Sequence, residues 1–285
     1  MKTVLEVSKL CKEYPGFCLK DVSFSVEAGS ITGFIGRNGA GKTTTIKSIM
    51  NLIHPSGGNI SCFGLPMQGN EDAIKQQLGY ATGGIHYYAR KKIREILAVT
   101  GMFYESWDQA ACRHYLDYFH LDENKRLQDL SEGMKVKFNL TVALSHHAKL
   151  LILDEPTSGL DPVSREELLE VFLEIAQKGV AILFSTHITS DLQKCADHIV
   201  YIQKGQILAA QEIHTFQNSY RLLSLTQDEK DGLSPAQASA VLGICRNKEG
   251  FTALIPAESA AFFSVWETTL PDLETIMIHL DKEAL

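Results

Sequence analysis

The residues in this 285-residue chain best suited to chemistry lie in two short runs. The first is Gly36, Arg37, Asn38, Gly39, Ala40, Gly41, Lys42, Thr43 and Thr44. Its spacing is G-x-x-x-x-G-K-[ST]. Glycines let such a loop turn its backbone N–H groups inward, where side chains would block a phosphate. A following helix points its positive end at the same place. Lys42 adds a movable cation suited to β- and γ-phosphates, and the Thr43 hydroxyl can ligate Mg²⁺. The second run is apolar, residues 150–153, and ends in Asp154 and Glu155. A sheet places Asp154 at its carboxyl edge beside the phosphate loop, where it can hold Mg²⁺ through water. Glu155, one residue on, can polarise an attacking water. Alone, an acid pair after a strand is as well explained by a helix start. Coupled to the phosphate loop it is a strong signal.

The surrounding pattern supplies elements to position these groups. Val22, Phe24 and Val26 alternate with polar residues, as in a half-buried strand. Ile31–Ile35 is a short apolar strand running straight into the glycine-rich loop. Ile46, Ile49, Met50 and Ile53 fall at i, i+3, i+4, i+7 and predict an amphipathic helix, closed by Pro55 and Gly57-Gly58. Strand resumes over 59–63. Residues 84–148 carry few strand signals and read as mostly helical. Asp161-Pro162 predicts an N-cap with proline at the first helical position. Leu168, Phe172 and Ile175 mark that helix's buried face, and Gly179 closes it. Residues 180–185 form another buried strand, and 199–202 with 206–208 form a hairpin around Lys204-Gly205. Strands alternating with helices imply a mainly parallel sheet covered on both faces. From about 216 the pattern changes to a small α+β appendage. It has strands at Tyr220–Leu225 and 251–255 and helices over 234–242 and 270–280. Phe262, Phe263 and Trp266 are expected in its core.

Composition narrows the function classes. The chain is 45% apolar and 21% charged, which excludes disorder and collagen-like or coiled-coil architectures. Net charge is −7, from 27 basic and 34 acidic residues, which argues against a nucleic-acid binder working through broad phosphate neutralisation. No window is apolar for long enough to span a bilayer, and the N-terminal residues do not read as a signal peptide. Six scattered cysteines without a CxxC pair read as reduced thiols of a cytosolic protein.

Over residues 1 to about 215 the sequence resembles the ATP-binding subunit of an ABC transporter. Besides the two runs above, the resemblance rests on four further motifs in family order. Tyr14 stands where the family places an aromatic that stacks on adenine. Leu130, Ser131 and Gly133 match the signature motif LSGGQ, from which Glu132 and Met134 depart. Leu160-Asp161 matches the loop linking two half-sites, and His187 the switch histidine that contacts the γ-phosphate. One departure stands out. Gly83 occupies the place of a glutamine that the family uses near Mg²⁺ and water, leaving that contact to Thr82 or His86, or missing.

The resemblance implies a P-loop NTPase in the α/β class. It would have a mainly parallel sheet, an N-terminal antiparallel β part, a helical subdomain at about 84–148 and the α+β C-terminal appendage at 216–285. It implies ATP and Mg²⁺ as ligands, with Thr43 and Asp154 on the metal, and catalysis by Glu155 and His187. In the family the signature motif faces away from its own phosphate loop. Two subunits therefore pair head to tail, each ATP lying between Lys42 of one and Ser131 and Gly133 of the other. The second subunit is either identical or related, and a permease on another chain would span the membrane, so the protein is expected on the cytoplasmic face. The basic aromatic run from Tyr87 to Lys92 is set against docking to that permease or a solvated loop. The ending from Leu270 resembles exporter-type subunits. The alternatives are a soluble ABC-type ATPase of translation or repair, and an ATP-binding regulatory module with weak hydrolysis. His146 and His147 are expected to be structural.

Overall fold

Val22, Phe24 and Val26 are buried while their neighbours face outward, and the strand they form is one edge of a four-stranded sheet. The computed structural model describes residues 2–82 and 88–282. They divide into two units, Met1–Ala210 and Gln211–Leu285. In the first unit β1 (Thr3–Tyr14), β2 (Phe17–Glu27), β4 (Gly57–Cys62) and β5 (Leu65–Pro66) lie in the order β2-β1-β4-β5, all pairs antiparallel.

The second sheet has six strands in the order β10-β9-β3-β8-β7-β6. They are β3 (Ile31–Ile35), β6 (Leu78–Thr82), β7 (Leu150–Asp154), β8 (Ala181–Thr186), β9 (His198–Gln203) and β10 (Gln206–Glu212). The pairs β3–β8, β3–β9, β6–β7 and β7–β8 are parallel. Every residue of β3, β7 and β8 is buried, as expected for parallel strands covered on both faces. The helices of this unit are α1 (Lys42–Ile49), α2 (Glu71–Lys75), α3 (Ile93–Gly101), α4 (Gln109–Tyr118), α5 (Glu132–Ser145), α6 (Pro162–Gln177) and α7 (Thr189–Cys195). The fold is therefore the α/β arrangement expected, with the antiparallel part preceding the parallel sheet. None of the described helices is long and apolar enough to cross a membrane.

Two local features position the loops at the sheet's carboxyl edge. A Cβ at Gly33 would lie 2.2 Å from a Leu192 methyl, so the missing side chain in β3 is what lets α7 lie flat on the sheet. Leu168, Phe172 and Ile175 bury one face of α6, and Asp161 caps it by accepting from Val163 and Ser164 N–H at 3.0 and 3.1 Å. Each fully buried side chain of this size contributes about 1.5–3 kcal/mol of transfer free energy. Helix α1 is shorter than its apolar stripe predicts. Asn51 takes a left-handed φ of 53°, and Leu52 N–H reaches back to the Lys47 carbonyl at 2.9 Å. That Schellman closure stops the helix a turn before Pro55, and Ile53 falls outside it.

The second unit is built on β11 (Tyr220–Leu225), β12 (Gly243–Arg246), β13 (Phe251–Pro256) and β14 (Thr268–Thr269), in the order β12-β13-β11-β14. Its helices are α8 (Ile213–Asn218), α9 (Gln227–Asp231), α10 (Pro235–Ala240) and α11 (Leu273–Leu280). The sequence pattern misses α9, a single turn made by a capping box between Thr226 and Glu229. Phe263 is fully buried with Leu223, Val241 and Ile255, and Trp266 packs on that cluster. Phe262 is 62% exposed and leaves the expected core group.

His146 is structural, at the end of α5. Its ring stacks on Tyr104, centroids 3.8 Å apart. Nδ1 donates to the Gln76 carbonyl at 3.2 Å, and Nε2 is buried without a partner among the described residues. Burial pushes its pKa down to about 4. The unfolded chain takes up this proton near pH 6.5 and the folded chain near 4, so between those values only the unfolded chain binds it. Stability from this group is complete above 6.5 and falls as pH drops through the window, by about 1.4 kcal/mol per pH unit. Chemical denaturation from pH 7 to 4 should show His146→Phe losing that share of the acid slope. Identical slopes would contradict the assignment.

Candidate functional site

Strand β3 delivers the chain to a loop that closes on the N-terminus of α1. Gly41 caps the helix at φ 118°, a conformation that side-chain-bearing residues rarely adopt. Gly36 and Ala40 are buried at the back of the loop, while Arg37, Asn38, Gly39 and Thr43 face solvent. Lys42 is only 6% exposed. Its Nζ donates to the Gly36 carbonyl at 2.7 Å and lies 3.3 Å from Glu155 Oε1.

The acid pair is set by the neighbouring strand. Register places Asp154 opposite Ser185. The Ser185 hydroxyl donates to Asp154 Oδ1 at 2.5 Å, and Glu155 N–H donates to both the Ser185 hydroxyl and its carbonyl. Glu155 has a φ of 53°. This left-handed turn ends the strand directly and gives the Glu155 side chain its place beside Lys42. His187 follows β8, and its Nδ1 lies 2.8 Å from Glu155 Oε2. Lys42, Glu155 and His187 thus form one continuous chain of charged and titratable groups, from three separate segments.

These groups wall a cleft of about 690 Å³. The phosphate loop lines it from Arg37 to Gly39 and from Gly41 to Thr44, with Glu155, Ser158 and His187 also on its wall. Its volume lies within the range of small-molecule sites. Asp154 is buried beneath this wall. The aromatic expected here is placed differently. Tyr14 is 43% exposed, has the Lys12 ammonium over its ring, and does not line the cleft. Phe17, its partner across the β1–β2 turn, does. The signal was present in the sequence, because two aromatics flank Pro15-Gly16. Only hairpin register says which one faces inward.

The signature residues lie apart from this cleft. Ser131 caps α5, its hydroxyl accepting from Met134 N–H at 3.3 Å. A Cβ added at Gly133 would meet Leu160 and Ser164 at ordinary contact distance. Asp161 is exposed, and its hydrogen bonds from Ser164 hold its carboxyl below the usual range. Within one chain, then, Lys42, Thr43, Asp154, Glu155 and His187 come together, and Ser131, Gly133 and Asp161 do not join them. Gly83, His86 and Tyr87 lie outside the described residues.

The family model for ABC transporters matches residues 19–158. Over 212 residues the chain is 35% identical to the bacitracin transport ATP-binding protein BcrA of Bacillus licheniformis, covering 73% of this chain and 69% of that one. The chain belongs to the ABC transporter ATP-binding proteins. A Nod factor export ATP-binding protein I of Burkholderia lata is 35% identical over 194 residues, 66% of this chain and 64% of that one. A solved structure of the ATP-binding subunit of an ABC transporter superposes with a TM-score of 0.69 at 32% identity, covering 75% of this chain and 92% of that one. Like other ABC ATP-binding proteins, this one binds ATP and is an ATPase that powers transport. With ATP as the ligand, the position of Phe17 makes a direct prediction. Phe17→Ala should weaken ATP binding by about fivefold or more, the low end of a base–aromatic stack, and Tyr14→Ala should weaken it less. Equilibrium titration with a fluorescent ATP analogue checks the order, and a larger loss at Tyr14 would reverse the assignment.

Proposed function

We propose that the cleft at the carboxyl edge of the six-stranded sheet is the ATP site of an export motor. The observation carrying this reading is the convergence of Lys42, Glu155 and His187 on the glycine-rich loop. Backbone N–H groups of residues 36 to 44 and the start of α1 cradle the phosphates, and Lys42 exchanges its carboxylate partner for them. Hard oxygen donors suit Mg²⁺, and the exposed Thr43 hydroxyl with the Asp154 carboxylate supplies such a pair. Bound there, the ion would neutralise charge on the phosphates. Glu155, released from Lys42, orients water for attack on the γ-phosphorus and takes its proton as the bond to the bridging oxygen breaks. ADP and phosphate leave. His187 orients Glu155 and faces the γ-phosphate.

The separation of Ser131 and Gly133 from their own cleft supports completion of each site by a second subunit, with Asp161 near the joint. A permease on another chain is the other partner. An apolar groove of about 590 Å³ between Tyr88, Val99 and Phe103 suits a helix of that permease, which would hold the motor at the cytoplasmic face of the membrane. Bacitracin transport and Nod factor export in the names of the relatives support export as the direction. The unit after Ala210 we read as an appendage to this motor. Glu155→Gln should lower turnover by about 100-fold, the low end for losing a general base, while ATP still binds and drives dimer formation seen by light scattering. Unchanged turnover, or an ATP-bound variant that stays monomeric, would contradict the motor.

A further inference from the structure

The buried Thr157 and Asp191 and the partly exposed Arg165 form a polar cluster that the mechanism above does not use. Asp191 is 1% exposed on α7, four residues beyond His187. Its Oδ1 lies 3.9 Å from Arg165 Nε, too far for a hydrogen bond, and its Oδ2 has no partner among the described residues. Arg165 Nε is likewise unpartnered, and the fully buried Thr157 hydroxyl lies beside the Asp191 carboxyl, whose pKa it lowers, without closing a hydrogen bond of full geometry. Native interiors rarely leave three such groups unpaired together, because each costs about 1–3 kcal/mol. Burial pushes the Asp191 carboxyl up, against the pull of Thr157, Arg165 and Lys194 and with a push from Glu166.

The cluster joins the loops that carry the hydrolytic groups. Thr157 is two residues from Glu155. Arg165 Nη2 donates to the Leu160 carbonyl at 3.4 Å, in the loop ending at Asp161. Asp191 is on the helix that follows His187. A shift of about 1 Å between α6 and α7 would bring Asp191 Oδ1 from 3.9 Å to hydrogen-bond distance of Arg165 Nε. We propose that Asp191, through Arg165 and Thr157, is a positioning residue for ATP hydrolysis. The cluster stands loosely closed at rest and tightens when the loops of Glu155, Asp161 and His187 gather around the γ-phosphate. This inference rests on the ATP-site reading above.

None of the three side chains lines the cleft, so the device acts on turnover and leaves ATP affinity alone. Steady-state ATPase assays on the full chain test it with Asp191→Asn, Arg165→Gln, Arg165→Lys and the double variant. Turnover should fall about tenfold in Asp191→Asn and Arg165→Gln, with KM for ATP within about twofold, as for a small misplacement of catalytic groups. Arg165→Lys should recover part of the loss, and the double variant should be no slower than the worse single, because both act through one pair. Wild-type turnover in either folded single variant overturns the proposal, as do losses that multiply in the double. Should Asp191→Asn not fold, the partly exposed Arg165 decides alone: Arg165→Gln with wild-type turnover overturns it. Lys42→Ala separates the two readings. If it hydrolyses ATP like wild type, the site reading fails. If it is inactive while Arg165→Gln is unimpaired, only the positioning role fails.

Discussion

An ammonium buried at the head of α1 has to be neutralised, and much of the site follows from how that is done. Lys42 is almost wholly out of solvent. Left unpaired it would cost several kcal/mol. The Gly36 carbonyl supplies one partner and Glu155 the charge. Glu155 reaches it by leaving β7 in a left-handed conformation, which costs about 1 kcal/mol for a residue with a side chain. Two hydrogen bonds from its N–H to Ser185 offset that cost. The strain therefore lies at the residue proposed to face the reaction, held by the strand beside it.

The parallel sheet makes this arrangement possible. Strands β3, β7 and β8 run side by side in the same direction, so the loops after Ile35, Asp154 and Thr186 leave one edge together. The empty side of Gly33 seats α7, and α7 fixes where the His187 loop can go. Arg165 and Asp191 then join the two helices that leave this edge. The cleft and the loops around His187 and Asp161 therefore sit at one edge of the sheet, and under the proposed function Lys42 would trade a carboxylate for a phosphate there.

How much of this was legible in the sequence depended on how local the cause was. The phosphate loop, Asp154, Glu155 and the Asp161 cap are each set by a few consecutive residues, and all were readable. The order of strands in both sheets was not stated by any local pattern, but its class followed from the alternation of strand and helix. That Phe17 and not Tyr14 lines the cleft depends on hairpin register, and Ser185 beneath the acid pair depends on register between β7 and β8. Neither is visible one segment at a time. The early end of α1 turned on a single left-handed asparagine, which an apolar stripe continuing to Ile53 concealed. Phe262 and Phe263 show the same limit, since two adjacent aromatics cannot both enter one small core. The cluster at Asp191 was invisible because its members come from three segments and owe their interest to being unpaired.

The claim on which the rest turns is that Lys42 and Glu155 hold each other across the cleft. A double-mutant cycle on unfolding free energy, with Lys42→Met and Glu155→Gln alone and together, measures that pair directly. The account predicts a coupling of about 1 kcal/mol without nucleotide, the double variant losing less than the two singles added. Strictly additive losses would show that the two charges do not sense each other, and the exchange of Lys42 from carboxylate to phosphate would then have no basis.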